Sequence, residues 1–209
     1  MSRAAFLDRD GVLNELVWFE EAGIVDSPFH EDHMRLIPGA AEAVRRFRAA
    51  GYTVVVVSNQ PVVAKGHCSR VRLDRITRRM HELLACEGAR VDAVYYCLYH
   101  PEARRRELRL VCECRKPRPG LLLRAAAERG LDLRESVMIG DGITDVQAGH
   151  AAGCRTVLIG RARCDLCRHL EQRGCRPDWI HSSLLEAARD LIHKEAEIHA
   201  SVHRHGQPS

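Results

Sequence analysis

The sequence predicts an α/β protein with a parallel sheet. Short runs rich in apolar and β-branched residues alternate with stretches of helical periodicity, which favours parallel strands joined by helical crossovers. The run over residues 53–57 is apolar without interruption, as is typical of a strand buried on both faces of such a sheet. With 209 residues, 45% of them apolar, the chain is long enough for one domain, which we expect to span residues 1–193.

The predicted elements follow one another in a regular order. Strands are predicted over residues 4–7, 53–57, 91–96, 137–139 and 156–159. Helices are predicted over residues 38–50, 68–87, 121–130 and 144–152, and glycines stand where the C-caps of the first three belong. Two segments fall outside this order: a cysteine-bounded loop over residues 97–114, and a polar, His-rich tail over residues 194–209 that we expect to be disordered.

Composition excludes several classes of protein. The net charge of +4 is spread along the chain, too little for a dedicated nucleic-acid binder, and no apolar run approaches the roughly 18 residues that span a bilayer. The first seven residues leave no room for a signal peptide, so we expect a cytoplasmic protein; we also expect a monomer. Nine cysteines in a reducing compartment favour metal ligation over disulfides.

Carboxylates follow two of the predicted strands. Asp8 and Asp10 come directly after the first strand, and Asp141 and Asp145 come just after the strand over residues 137–139. Because ligands of parallel sheets bind at the carboxyl ends of the strands, we expect these side chains to converge. Converging carboxylates repel one another unless a cation neutralises them, and oxygen ligands favour Mg²⁺ over softer metals.

Groups suited to binding an anion are predicted at the same edge. The strand over residues 53–57 is followed by Ser58, Asn59 and Gln60, and Arg115 and Lys116 precede a predicted helix. Each of these features alone is common in ordinary loops. Their occurrence together, each at the end of an element, favours a phosphate site.

Four segments together resemble the motifs of the haloacid dehalogenase (HAD) superfamily of phosphatases: residues 8–12 (DRDGV), residues 58–60 (SNQ), Lys116, and residues 140–145 (GDGITD). A narrower resemblance is to the phosphatases of heptose bisphosphate and of histidinol phosphate. It rests on residues 8–14 (DRDGVLN), residues 95–97 (YYC) with His100 and Pro101, and residues 112–117 (CECRKP), and it covers about residues 3–190. The resemblance implies a HAD-type Rossmann-like sheet with no large cap domain and with an inserted zinc loop.

The resemblance also implies a chemistry. Asp8 would attack phosphorus to form an aspartyl-phosphate, and Asp10 would act first as general acid and then as general base. Mg²⁺ would be held by Asp8, the carbonyl oxygen of Asp10 and Asp141. Ser58 and Lys116 would hold the phosphoryl group, whereas Asn59, Gln60 and Arg115 would reach other parts of the substrate.

The substrate that the resemblance implies is a small phosphorylated sugar. Heptose 1,7-bisphosphate is the first choice, and histidinol phosphate or another small phosphomonoester is the alternative. A zinc-stabilised binding module is the alternative from a non-enzymatic class of protein, but it does not explain why Asp8, Asp141 and Lys116 occur together.

The loop over residues 97–114 contains a candidate zinc site. Cys97, His100, Cys112 and Cys114 supply three thiolates and one imidazole, a set that suits a closed structural Zn²⁺ site. In the similar phosphatases the histidine is the second residue after the first cysteine; here Tyr99 has that position and His100 follows it. We expect zinc to bind through His100, with a loop held by packing alone as the alternative.

A second group of possible ligands is left unexplained by the resemblance. Cys164, Cys167, His169 and Cys175 include Cys-x2-Cys spacing, which is common at zinc sites. Free cysteines in a surface excursion are the alternative interpretation.

Overall fold

A six-stranded parallel sheet forms the centre of the protein. The computed structural model describes residues 2–160 and 174–204, with side chains as far as Glu197. The sheet contains β1 (Ser2–Leu7), β4 (Thr53–Asn59), β5 (Ala93–Cys97), β6 (Leu131–Gly140), β7 (Arg155–Ile159) and β8 (Trp179–His181). The order across it is β5–β4–β1–β6–β7–β8, and every neighbouring pair is parallel. The predicted fold class is confirmed.

Helices pack on both faces of this sheet. They are α1 (Ala40–Ala49), α2 (Val62–Lys65), α3 (Arg70–Cys86), α4 (Gly120–Arg129), α5 (Ile143–Ala152) and α6 (Leu184–Arg204). Because successive strand residues point to opposite faces, Phe6 joins the core cluster that contains Leu121 and Leu122, while Leu7 joins the one that contains Phe47 and Leu191. Burial on both faces explains why the central strands are uninterrupted apolar runs.

A small antiparallel hairpin precedes the first helix. It pairs β2 (Val17–Phe19) with β3 (Ile24–Asp26). The ring of Phe29 stacks on Phe19, with centroids 3.9 Å apart, and on His67 at 4.6 Å, so aromatic contacts tie the hairpin segment to the residues after α2. These two strands were not predicted from the sequence.

The C-terminal helix corrects the expected boundary at residue 193. Helix α6 runs unbroken from Leu184 to Arg204, so the first part of the expected disordered tail is helical; residues 205–209 lie outside the described residues. Glu195, inside that tail, is buried and accepts hydrogen bonds from Tyr52 and Arg155. The buried positions Leu184, Ala187, Ala188 and Leu191 have helical spacing, a signal that could have predicted the helix.

Other differences concern the ends of elements. The helix predicted over residues 68–87 begins at Arg70, because the Ser69 side chain accepts a hydrogen bond from the backbone N–H of Arg72 and forms an N-cap. The three-residue edge strand β8 was not predicted, being too short for a periodic signal. No helix in the described ranges combines the length and the apolar character that crossing a membrane requires.

Candidate active site

The ends of two adjacent strands bring the predicted carboxylates together. Strands β1 and β6 are neighbours, with Leu7 opposite Ile139, so Asp8 and Asp141 follow them at the same edge of the sheet. Ligand oxygens of Asp8, Asp141 and Asp145 all lie within 4.8 Å of one another. A Cβ atom on Gly11, whose φ is +79°, would lie 2.1 Å from Asp141 Oδ2, so the close approach of the two loops requires glycine there.

Lys116 lies buried inside this carboxylate cluster. Its Nζ is 3.1 Å from Asp8 Oδ1 and 2.5 Å from Asp145 Oδ1, and it donates a hydrogen bond of 2.9 Å to the carbonyl oxygen of Val57. Burial disfavours the ammonium charge, but the attraction of Asp145 and Asp8 outweighs it and raises the pKa of Lys116. The cluster therefore contains a fixed positive charge beside the predicted nucleophile.

One lysine does not neutralise three carboxylates. Burial is the largest cause that raises the pKa of Asp8 to about 6; Asp145 and Asp10 add to it, and Lys116 and Ser58 act against it. Desolvation, then the charges of Asp8 and Asp145, raise the pKa of Asp141 to about 7, although this residue has one side open to solvent. Carboxylate oxygens in excess of the available positive charge fit a hard divalent cation.

The carboxylate of Asp10 points to a different set of partners. Arg9 donates to it through Nε at 3.1 Å and Nη2 at 3.0 Å, Asn14 Nδ2 donates at 2.9 Å, and Gln60 Nε2 donates at 2.5 Å. Arg9 is fully buried, and the charge of Asp10 helps to raise its pKa against the opposing effect of burial. Arg9 and Asn14 were not among the predicted site residues; their place within the DRDGVLN segment was the available signal.

The structure corrects the expected role of Gln60. This side chain is fully buried and all its hydrogen-bonding groups are used within the protein. Its Nε2 donates to Asp10 and, at 3.1 Å, to Ser58 Oγ, and its Oε1 accepts from Arg9 Nη2 at 2.8 Å. Both N–H donors of Gln60 are therefore used within the protein, and its oxygen is buried against Arg9. Ser58, two residues earlier and within β4, is buried beside Asp8 and forms a hydrogen bond with it.

Asn59 is likewise occupied by the protein, contrary to the expected contact with substrate. Its Nδ2 donates to the carbonyl oxygen of Lys116, and its Oδ1 accepts from the backbone N–H of the same residue, both at 3.0 Å. This pair of bonds fixes the loop that delivers the lysine. Arg115 is half-buried, donates to the carbonyl oxygen of Tyr99 at 3.4 Å, and lines a cavity of about 190 Å³ next to Lys116.

Three of the four predicted zinc ligands converge. The Sγ atoms of Cys97, Cys112 and Cys114 are 2.8–3.4 Å apart, and within the described residues these three form a candidate soft-metal cluster. The structure does not place His100 in this cluster, which corrects the expected ligand set. His100 Nδ1 instead accepts a hydrogen bond of 3.1 Å from the backbone N–H of Glu102.

The thiols differ in acidity. Burial, followed by hydrogen bonds from Cys114 and Cys112, raises the pKa of Cys97. The pKa of Cys112 is lowered, because hydrogen bonds from Cys114 and Cys97 outweigh the effect of its burial. Zinc binds cysteine in the thiolate form. Three converging cysteine sulfurs therefore fit a Zn²⁺ ion that takes its fourth ligand from elsewhere.

Of the second group of possible ligands, only Cys175 lies within the described residues. Cys164, Cys167 and His169 lie outside the described residues. Cys175 is buried, with Sγ 3.7 Å from Nδ1 of His150.

Comparison with known proteins agrees with this architecture. A family model described as HAD-hydrolase-like matches residues 113–187. The D-glycero-β-D-manno-heptose-1,7-bisphosphate 7-phosphatase of Escherichia coli K12 is 35% identical over 185 residues, which cover 88% of this chain and 90% of that protein. The protein of the same name from Pasteurella multocida is 39% identical over 76% of this chain and 82% of its own length.

A solved structure shows the same relationship. The D,D-heptose 1,7-bisphosphate phosphatase of B. bronchiseptica, crystallised in complex with magnesium and phosphate, superposes with a TM-score of 0.74 at 30% identity. The match covers 92% of this chain and 99% of that one. Because these similarities cover 88% and 92% of this chain, the chain belongs to the HAD-like phosphatase family that includes the heptose-1,7-bisphosphate 7-phosphatases.

Proposed function

We propose that this protein is a Mg²⁺-dependent phosphomonoesterase that removes the 7-phosphate of D-glycero-β-D-manno-heptose 1,7-bisphosphate through an aspartyl-phosphate. The observation that carries this proposal is the position of Lys116, buried between Asp8 and Asp145 at the carboxyl edge of the sheet. A carboxylate nucleophile beside a fixed ammonium group can accept a phosphate dianion, which a bare acidic cluster would repel. The names of the relatives support the choice of sugar.

In the first step, Asp8 attacks phosphorus and the bond from phosphorus to the leaving oxygen breaks. Lys116 offsets the negative charge that the phosphoryl group brings. Since Ser58 Oγ accepts from Gln60, its own hydrogen is free to point toward Asp8 and the phosphoryl oxygens. Held by Asp8, Asp141 and the carbonyl oxygen of Asp10, Mg²⁺ would supply positive charge that reduces the repulsion between the anionic nucleophile and the phosphate.

Asp10 transfers the proton in both steps. It protonates the leaving oxygen as the sugar departs, and it then takes a proton from the water that hydrolyses the aspartyl-phosphate at Asp8. Asp145 plays a different part, because it holds Lys116 and accepts a 3.0 Å hydrogen bond from the backbone N–H of Gly142. We therefore assign Asp145 to orienting the lysine rather than to the reaction itself.

The loop over residues 97–114 is proposed to shape the substrate pocket. Arg115, next to Lys116 and beside a cavity, is the cation that we assign to the remainder of the sugar phosphate. We propose that Zn²⁺ on Cys97, Cys112 and Cys114 fixes this loop. We also propose a cytoplasmic location; the seven cysteines of the described residues are not joined by disulfides, as expected in a reducing compartment.

Phosphate release from a panel of phosphomonoesters tests the proposal. The panel contains both anomers of the heptose bisphosphate, histidinol phosphate and glycerol 3-phosphate, each with Mg²⁺ and with EDTA. We expect Mg²⁺-dependent release that is fastest from the β-anomer and absent in an Asp8→Asn preparation, which controls for contaminating phosphatases. Faster release from histidinol phosphate would replace the proposed substrate, and release from none would reject the activity.

A further inference from the structure

We propose that Gln60 and Arg9 are positioning residues that together hold the carboxylate of Asp10 in place for proton transfer. This inference rests on the proposed function, because it concerns how the proposed acid of that reaction is oriented. Neither side chain touches substrate, since both are fully buried. They act through Asp10.

The hydrogen-bond partners fix the orientation of the Gln60 amide. Arg9 can only donate and the ionised carboxylate of Asp10 can only accept, so Oε1 faces Arg9 and Nε2 faces Asp10. The observed contacts agree: Arg9 Nη2 lies 2.8 Å from Oε1, and Asp10 Oδ2 lies 2.5 Å from Nε2. The second hydrogen on Nε2 is directed to Ser58 Oγ at 3.1 Å. One amide therefore links the proposed acid to the residue that holds the phosphoryl group.

Arg9 holds Asp10 from the other side of the same carboxylate. Its Nη2 lies 3.0 Å from both Asp10 oxygens and its Nε lies 3.1 Å from Oδ1. The guanidinium has no exposed surface, so it has no water to replace this carboxylate if Asp10 were to move away. Leaving a buried charge without its partner is costly, which favours a single position for Asp10.

Sheet geometry explains why these groups meet. Arg9 follows β1 and Gln60 follows β4, and the two strands are parallel neighbours with Leu7 opposite Val56. The side chains that leave the two strand ends therefore reach the same point beyond the sheet edge. A displacement of about 1 Å at a reacting group can cost about 10²-fold in rate, so the position of Asp10 matters for catalysis.

Leaving groups of different basicity distinguish a positioning role from a structural one. A sugar or glycerol oxygen needs a proton to depart, whereas 4-nitrophenolate departs without one. We expect Gln60→Met to lower kcat/KM toward glycerol 3-phosphate by about 10²-fold and toward 4-nitrophenyl phosphate by less than about 5-fold. The parameter kcat/KM is used because it covers only the steps up to alcohol release, so the later role of Asp10 toward water does not enter it.

Gln60→Glu is the second variant, for the case in which the methionine variant does not fold. It keeps the size of the side chain and the oxygen that faces Arg9, but it replaces the N–H donor with a second carboxyl oxygen beside Asp10. The two carboxyl groups then repel each other or share a proton, so the same unequal loss is expected. Tyr96→Phe is the matched control. Its hydroxyl lies 3.4 Å from Arg9 Nη1 and touches Thr77 rather than Asp10, so the ratio between the two substrates should not change.

The outcomes separate the inference from the proposed function. An unequal loss that favours 4-nitrophenyl phosphate supports the positioning role. An equal loss on both substrates, or no loss on either, overturns it while leaving the phosphatase intact. Wild-type protein inactive on every phosphomonoester would instead reject the proposed function, and the inference with it.

Discussion

The carboxylate site and the thiol loop are built in different ways. At the sheet edge, Lys116 bridges Asp8 and Asp145, while Arg9, Asn14 and Gln60 hold Asp10. In the loop over residues 97–114, the three Sγ atoms converge at the end of β5, and beyond Cys97 the regular structure is limited to a 3-10 turn at Arg106–Leu108. The first site is held by strand ends and paired charges, whereas the second is held by the burial of Cys97 in the core and by scattered hydrogen bonds to backbone, such as those from Arg104 and Arg105 to Ala64.

This difference indicates what each metal would contribute. Most groups of the carboxylate site are already oriented by the protein, so Mg²⁺ adds charge to an existing arrangement. A loop without regular structure and with three adjacent thiols gains its shape from the ion that binds them. Loss of Mg²⁺ should therefore affect chemistry first, and loss of zinc should affect stability first.

Replacing Asp8 gives the largest expected effect. Asp8→Asn removes the nucleophile but keeps the shape of the side chain, so turnover should fall below detection while the melting temperature stays near that of the wild type. Steady-state phosphate release and thermal unfolding measure the two quantities. Asp74→Asn, an exposed change on α3, is the control. Retained turnover in Asp8→Asn would remove this residue as the nucleophile.

Replacing Asp10 should have a smaller effect on the same site. Asp10→Asn keeps an acceptor for Arg9 but removes the transferable proton, and we expect kcat/KM toward an alkyl phosphate to fall by at least about 10²-fold. The measurement is phosphate release with Mg²⁺ at saturation. A rate near that of the wild type would contradict the assigned role.

The thiol loop should respond in stability rather than in chemistry. Cys114→Ser should reduce bound zinc per chain and lower the melting temperature by about 5 °C, with a loss of turnover far smaller than that of Asp8→Asn. Metal analysis and thermal unfolding provide the readouts. The matched control is His100→Ala, which should leave zinc content unchanged because the imidazole is bound to Glu102. Loss of zinc in that control would show that His100 is a ligand after all.

The smallest expected effect is the dependence of Mg²⁺ stabilisation on pH. The pKa values of Asp8 and Asp141 are raised from 3.8 to about 6 and about 7. At pH values between 3.8 and these raised values, the folded protein therefore binds more protons than the unfolded chain. Stability without metal therefore falls as the pH rises through this window. Mg²⁺ binds the ionised carboxylates, so it should raise the melting temperature by about 3 °C at pH 8 and by less than about 1 °C at pH 5. An equal shift at both pH values would contradict these protonation states.

Sequence patterns predicted the strands of the sheet and the residues at their carboxyl ends more reliably than the hydrogen-bond partners of the individual side chains. The five longer strands exist where apolar runs predicted them, although β6 begins at Leu131, six residues before its predicted start, because its first residues are largely polar. The DRDGV, SNQ and GDGITD segments lie at strand ends, as their positions in the sequence indicated. The roles expected for Gln60 and Asn59 were corrected, because the same amide can face a substrate or another side chain. Sequence alone does not distinguish the two.

The sequence by itself determined the fold class, the edge of the sheet that carries the chemistry, and the family. These depend on the order of residue types along the chain. Only the tertiary structure decided that Gln60 turns inward to Asp10, that Arg9 is wholly buried, and that His100 stays apart from the thiols. Those outcomes depend on distances between residues far apart in sequence and on which donors already have acceptors, and both are properties of the packed molecule.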